Sequence, residues 1–340
     1  MLKELDQLPE GFLSARPADL EALVGGPTLI HLPGRRPEPL FVSVLLHGNE
    51  PAGLEAVQAL LRSPPAGGLP RALSLFVGNV SAARAGLRRL DGQPDYNRTW
   101  PGGDGGDTPE HRLMAQVTAR MGERGPFASV DVHNNTGLNP HYACINRLEP
   151  RFLQLATLFG RTVVYFIRPR GVQSLAFAQL CPAVTLECGK AGDAHGVEHA
   201  REFITACLQL SEIPDHPVAP HDLDLFHTVA VVKVPDAVSF SFSAGEADLE
   251  FDPDLDHMNF RELPAGTALG RVRPGSGVQV EARSETGEDV TNTYFDTHQD
   301  RLVLRRPVMP SMLTLDERVV RQDCLCYLME RMSFVTDSAQ

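Results

Sequence analysis

The sequence predicts an α/β fold, a sheet layered by helices, followed by a smaller β-rich domain. Three observations carry this. Short apolar runs alternate with stretches of helical spacing through the first two thirds of the chain. In the last third, apolar runs are separated only by Gly and Pro turns. Between these regions, Ile213-Pro-Asp-His-Pro-Val-Ala-Pro220 places three prolines in eight residues, which cannot continue a helix. The expected domains are therefore residues 1–220 and 221–340.

In order along the chain, Leu40-Phe-Val-Ser-Val-Leu-Leu46 reads as a buried strand, and Ala52 to Arg62 as a helix with Leu54, Val57, Leu60 and Leu61 on one face. Further strands are expected at Leu73–Val77, Ser129–Val132, Thr162–Phe166 and Ala183–Leu186. Helices are expected at 109–122, 150–159 and 196–211. The C-terminal strands are expected at Thr228–Val234, Ala268–Val272, Val278–Val280 and Arg301–Arg305, closed by a helix over 316–332. The chain shows no internal repeat.

With 340 residues, 42% of them hydrophobic, the chain can bury a sizeable core without disulfides. Its six cysteines form no C-x-x-C pair and read as reduced, small apolar residues. The net charge of -12 disfavours nucleic acid and anionic membrane surfaces as partners. That charge is uneven: residues 1–220 carry 20 basic and 22 acidic side chains, residues 221–340 carry 11 and 21. No apolar run approaches the ~18 residues of a membrane span. The N-terminus lacks the basic-then-apolar order of a signal peptide, so the expected location is cytoplasmic.

The strongest chemical signal is Leu45-Leu-His-Gly-Asn-Glu50, which leaves an apolar strand and enters a helix. A His and a Glu three residues apart at such a turn can both reach one cation. The competing reading is an exposed turn with Asn49 as a helix cap. A second His in an equivalent setting, His133 at the end of Ser129-Val-Asp-Val-His, shifts the balance, because strand ends in an open α/β sheet converge on one crevice. His47, Glu50 and His133 then supply three ligands with a fourth position open, the pattern of a catalytic zinc. Asp131 could orient His133, or equally cap a helix.

Glu187, at the end of Val184-Thr-Leu-Glu, is a carboxylate costly to bury alone. It suits a general base that takes a proton from water and returns it to a leaving amine, with a salt bridge to Lys190 or Arg201 as the alternative. In the intervening loop Arg98, with Asn97, can hold a substrate carboxylate through its planar fork. Arg84, Arg88 and Arg89 are candidates for polarising a carbonyl.

The ordered set His47-Gly-Asn-Glu50, Gly78-Asn79, Asp95-Tyr-Asn97-Arg98 with Trp100-Pro-Gly102, Asp131-Val-His133 and Thr185-Leu-Glu187-Cys-Gly189 resembles the succinylglutamate desuccinylase/aspartoacylase family, within the zinc carboxypeptidase superfamily. The resemblance spans residues 40–200. It implies a mixed central sheet flanked by helices with a smaller C-terminal β domain. It also implies one zinc per chain on His47, Glu50 and His133, Glu187 as proton shuttle, and Asn97 and Arg98 as binders of a small anionic N-acyl amino acid. Tyr96 and Val80 stand where the family usually has Leu and Pro. The longer loop before Asp95 leaves Arg88 and Arg89 both open as the carbonyl-polarising group. The additional arginine of aspartoacylase-like members, which would precede the glutamate strand, has only Arg168 or Arg170 as displaced substitutes here; Arg170 is the candidate taken. His133-Asn-Asn-Thr136 looks more like aspartoacylase than succinylglutamate desuccinylase.

The expected activity is removal of an acyl group from an N-acyl amino acid or related small amide. The alternatives are a zinc carboxypeptidase acting on peptides and a non-catalytic metal-dependent binding protein, and homo-oligomerisation is left open. Two other patterns compete for a metal. His195-Gly-Val-Glu-His199 fits H-x-x-E-H, but it leaves the other matched segments unexplained and is expected to start a helix with both histidines exposed. The acidic stretch Glu246 to Asp256 suggests a calcium loop, but His257 takes the place of the essential glycine and Leu263 that of the twelfth-position Glu. A solvated strand face or loop is expected there.

Overall fold

In the computed structural model, residues 2–63, 66–243 and 245–332 are described. The chain divides into two compact units: one holds the chain up to Asn134 with His141–Leu225, the other Asn135–Pro140 and the chain from Phe226.

The first unit is a mixed sheet with helices between its strands. Its elements run β1 (Lys3–Leu5), α1 (Leu20–Val24), β2 (Thr28–Leu32), β3 (Arg36–Val44), α2 (Ala52–Arg62), β4 (Arg71–Val77) and α3 (Val80–Ala85). They continue as α4 (Pro109–Arg124), β5 (Ala128–Asn135), β6 (Tyr142–Ile145), α5 (Pro150–Thr157), β7 (Thr162–Tyr165), α6 (Gln173–Phe177), β8 (Ala183–Lys190) and α7 (Ala194–Gln209). The strand order is β1-β2-β4-β3-β5-β8-β6-β7. β3 runs parallel to β4 and β5, whereas β2 on β4 and β6 on β8 are antiparallel.

The apolar run of β3 is buried from Leu40 to Val44, as a strand covered on both faces requires. On one face Phe41 stacks on Phe177 at 4.3 Å between ring centroids, and Trp100 meets Phe177 and Phe76 edge-on. β3 and β5 are parallel neighbours and the end of β5 bonds the end of β8 through Asn134 and Gly189, so the ends that carry His47, His133 and Glu187 lie together at one end of the sheet.

The second unit contains β9 (Asp224–Lys233), β10 (Phe240–Ser241), β11 (Leu249–Phe251), β12 (Ala268–Val272), β13 (Glu281–Ser284), α8 (Thr291–Tyr294), β14 (Phe295–His298), β15 (Arg301–Leu304), β16 (Met309–Ser311), α9 (Glu317–Gln322) and β17 (Cys326–Arg331). One sheet has the order β10-β11-β12-β15-β14; β9 pairs with β17 and β13, and β16 with β17. Phe251, Leu255, Phe295 and Leu302 lie in its core.

Two expectations here are corrected. The helix over 316–332 stops at Gln322, and Cys326–Arg331 is a strand, because Cys326, Leu328 and Met329 fill the core while the backbone pairs with β9 and β16. The strand at Val278–Val280 instead begins at Glu281, after Val280 has buried its side chain. Among the described residues, no helix is long and apolar enough to cross a membrane.

Candidate metal centre

His47 stands in a tight turn between β3 and α2, where the Glu50 N–H donates to the His47 carbonyl at 3.2 Å. Gly48 is required here: a Cβ at this position would lie 2.1 Å from the Ala83 backbone nitrogen. α3 therefore packs directly on the turn, and the Gly48 N–H is taken by the Arg88 carbonyl at 3.1 Å. Asn49 does not cap α2. The first free N–H, that of Ala52, donates instead to Asn134 Oδ1 on β5 at 3.0 Å.

Asn134 is a hub. Its Nδ2 donates to the Gly189 carbonyl on β8 at 3.0 Å, and its backbone N–H faces Glu50 Oε2 at 3.3 Å. One buried side chain thus ties together the three segments that carry His47 with Glu50, His133, and Glu187.

His47, Glu50 and His133 are buried and come together, with one ligand atom from each inside a 4.8 Å group; among the described residues this is the one such group that could hold a metal ion. His47 Nδ1 lies 2.8 Å from Glu50 Oε1 and His133 Nδ1 lies 2.7 Å from Glu50 Oε2. The opposite ring nitrogens face carboxylates: His47 Nε2 meets Asp95 Oδ1 at 3.0 Å, and His133 Nε2 meets Asp131 Oδ2 at 2.8 Å. An Nε2–H that donates to a carboxylate leaves the Nδ1 lone pair for a cation and makes it more basic.

Charge points the same way. Burial opposes ionisation of Glu50, but attraction to His47 and His133 outweighs it and holds the carboxyl below the usual carboxylate range. Asp95 is lowered likewise, by His47 and Arg88 against burial. Burial disfavours a charged His133, yet Asp131 and Glu50 raise it well above the usual imidazole range. Three buried carboxylates around two imidazoles and one guanidinium create a demand for positive charge that a divalent cation fits.

The arginines separate. Arg88 reaches the centre: it donates to Asp95 Oδ2 at 3.1 Å through Nη2, and its Nη1 is 3.5 Å from Glu50 Oε1. Arg89 turns away and donates to the Gln93 carbonyl at 2.7 Å. Arg84 pairs with Glu21 at an exposed site. Asn97 is buried, with Nδ2 3.1 Å from His133 Nε2 and Oδ1 accepting the Gln173 N–H at 2.9 Å. Arg98 is anchored on the Asn97 carbonyl at 2.8 Å. Arg168 and Arg170 instead face Asp104 at 3.7 and 3.8 Å, and Arg170 is half exposed.

Glu187 is 6% exposed on β8, in register with Tyr142 of β6. Burial and its negative charge together push the thiols of Cys144 and Cys188 up, and all six cysteines are free and buried.

The H-x-x-E-H segment is different from this centre. His195 is exposed at the start of α7, but His199 is not: it stacks on Phe159 at 3.9 Å, with Nδ1 3.0 Å from His141 Nδ1. Gly196 is there because a Cβ would meet the Cys188 carbonyl oxygen at 2.0 Å, so α7 lies against β8. In the acidic stretch, Asp248 accepts from Ser239, Asp252 accepts the Asp254 N–H, and Leu249 and Phe251 are buried between them, as a solvated strand and loop.

Three residues of the centre have no role in the sequence reading: Asp95, Asn134 and Ser43, whose Oγ donates to Asp131 Oδ1 at 2.6 Å. Asp95 lay within a recognised motif, and Ser43 was the polar residue of an apolar strand.

Comparison with known proteins places the chain. A succinylglutamate desuccinylase of Burkholderia cenocepacia is 38% identical over 97 residues, which is 28% of this chain and 24% of that protein. The chain thus aligns with about a quarter of that relative's length. The crystal structure of the succinylglutamate desuccinylase from Chromobacterium violaceum superposes with a TM-score of 0.56 at 21% identity, covering 89% of this chain and 87% of that one. A succinylglutamate desuccinylase/aspartoacylase from Rhodobacter sphaeroides gives 0.60 at 17%, covering 90% and 89%. Murine aminoacylase 3 gives 0.52 at 14%, covering 88% and 96%. At these identities the structures speak for the fold. The sequence profile of the succinylglutamate desuccinylase/aspartoacylase catalytic domain matches residues 39–211, just over half of the chain, and the chain belongs to that family.

Proposed function

We propose that the chain is a zinc-dependent deacylase that hydrolyses the amide of an N-acyl amino acid or a related small amide. The observation that carries this reading is the pair of imidazoles whose Nδ1 atoms converge on Glu50 while their Nε2 atoms rest on buried carboxylates, beside the Arg88 guanidinium. His47, Glu50 and His133 would hold one zinc per chain, which supplies Lewis acidity and eases deprotonation of water.

The chain's own residues divide the remaining work. Glu187 takes the proton from the water that attacks the acyl carbon. It returns that proton to the amide nitrogen as the C–N bond breaks, so the products are a carboxylate and a free amine. Arg88 hydrogen-bonds the carbonyl oxygen as negative charge develops on it. Arg98 and Asn97 grip the amino-acid carboxylate and set which bond faces Glu187.

The test is metal analysis followed by a screen of acetyl, succinyl and longer N-acyl amino acids, with short peptides in parallel. Turnover should be faster on N-acyl amino acids than on peptides, and a chelator should abolish it. Glu187→Gln should retain metal while losing about 10²- to 10⁴-fold in kcat, as expected for a general base. Unchanged turnover in that variant, or no hydrolysis across the screen, overturns the proposal.

A further inference from the structure

Ser43 interrupts an otherwise apolar run, Leu40-Phe-Val-Ser-Val-Leu-Leu46. It is fully buried in β3, in register with Asp131 of β5, which is also fully buried. A serine here gives up apolar burial, and a lone hydroxyl in such a place costs free energy unless it is hydrogen-bonded. Its bond is short and single-purpose: Oγ donates to Asp131 Oδ1 at 2.6 Å, while Asp131 Oδ2 faces His133 Nε2 at 2.8 Å.

His133 Nε2 has a second suitor. Asn97 Nδ2 lies 3.1 Å from it, with the amide orientation set by the Gln173 N–H on Oδ1. The two contacts ask for opposite things. Donation from Asn97 requires a lone pair on Nε2, which puts the imidazole proton on Nδ1, the atom that faces Glu50. Donation to Asp131 puts the proton on Nε2 and frees Nδ1. Which contact prevails depends on whether the Asp131 carboxylate stays turned toward the ring, and Ser43 holds its other oxygen.

We infer that Ser43 is a positioning residue for the metal centre: by fixing the Asp131 carboxylate against Nε2–H it leaves Nδ1 of His133 as the ring atom that faces and can bind a cation. This rests on the reading of His47, Glu50 and His133 as metal ligands.

Zinc affinity, measured by competition with a chromophoric chelator, tests it apart from catalysis. Wild-type protein, Ser43→Ala, Asp131→Asn and the double variant form a cycle, with thermal melting of each metal-free protein as the fold control. Loss of a partner behind a metal-bound histidine typically weakens binding about 10- to 100-fold, and Ser43→Ala is expected at the lower end, about tenfold. In the Asp131→Asn background the same substitution should cost nothing further, because its effect passes through that carboxylate. Ser43→Cys, which fills the space with a weak donor, should lose affinity as alanine does, and Ser43→Thr should restore it. Equal affinity of wild type, Ser43→Ala and Ser43→Cys overturns the inference, as does a full additional loss in the Asp131→Asn background. If wild-type protein binds no zinc, it is the metal reading that fails.

Discussion

The two compact units use carboxylates in opposite ways. In the first, whose region is nearly charge-balanced, Glu50, Asp131 and Glu187 are buried on or just after strands, and Asp95, in the loop before α4, is nearly so. Glu50, Asp95 and Asp131 each meet an imidazole, and Arg88 and Ser43 add a guanidinium and a hydroxyl to Asp95 and Asp131. In the second, five of the six carboxylates from Glu246 to Asp256 reach water, with Asp248, Glu250 and Asp252 capping turns, and Asp256 is the one that is buried. A buried charge must be paired or it destabilises the fold by several kcal/mol, so its neighbours are specified. An exposed charge costs little and specifies little. The comparison teaches that net charge, concentrated in the last third of the chain, is a poor guide to the site, whereas charge out of water is a good one.

The sharpest way to break the comparison is to empty the buried centre. His133→Ala should reduce bound zinc from one per chain to background and abolish hydrolysis, measured by elemental analysis and turnover. His199→Ala should leave both intact, because that ring stacks on Phe159 and meets His141 rather than a carboxylate pair. Loss of zinc in the His199 variant alone would transfer the site to the H-x-x-E-H segment.

A smaller effect separates two adjacent arginines. Arg88→Ala should cost about 10²- to 10³-fold in kcat, the usual range for removing a group that stabilises a developing oxyanion. Arg89→Ala should leave kcat within about threefold, because its guanidinium serves the Gln93 carbonyl. Equal losses in both would mean that the two arginines act by holding the loop they share, and the role of Arg88 at the carbonyl would fall.

These cases also show what a linear reading can reach. Leu40–Leu46 and Ala52–Arg62 were legible as strand and helix because apolar spacing is a local property, and α2 has the expected bounds. The centre's histidines and Glu50 were legible because they follow apolar strands at turns. Arg88 and Arg89 were not separable, since neighbours in sequence differ only in which way the folded loop turns them. Asp95, Ser43 and Asn134 act through partners 48, 88 and 55 positions away, a separation that no periodicity encodes. The expectation for Cys326–Arg331 is a continuation of the helix that α9 begins. Pairing with β9 and β16 decides otherwise, and pairing is non-local.

The smallest expected effect is the one that sharpens the contrast most. Asp252→Asn together with Asp254→Asn removes two charges from the acidic stretch, where Asp252 caps the Asp254 N–H through a side-chain oxygen that asparagine retains. Surface changes of this kind stay within about 0.5 kcal/mol, so the melting temperature and turnover should match wild type, and added calcium should not raise the melting temperature of either protein. Ligand binding to the folded state stabilises it in proportion to the logarithm of ligand concentration. A calcium-dependent rise in melting temperature that the double variant abolishes would therefore show that these carboxylates do hold an ion, and the contrast between the two sets of carboxylates would fall.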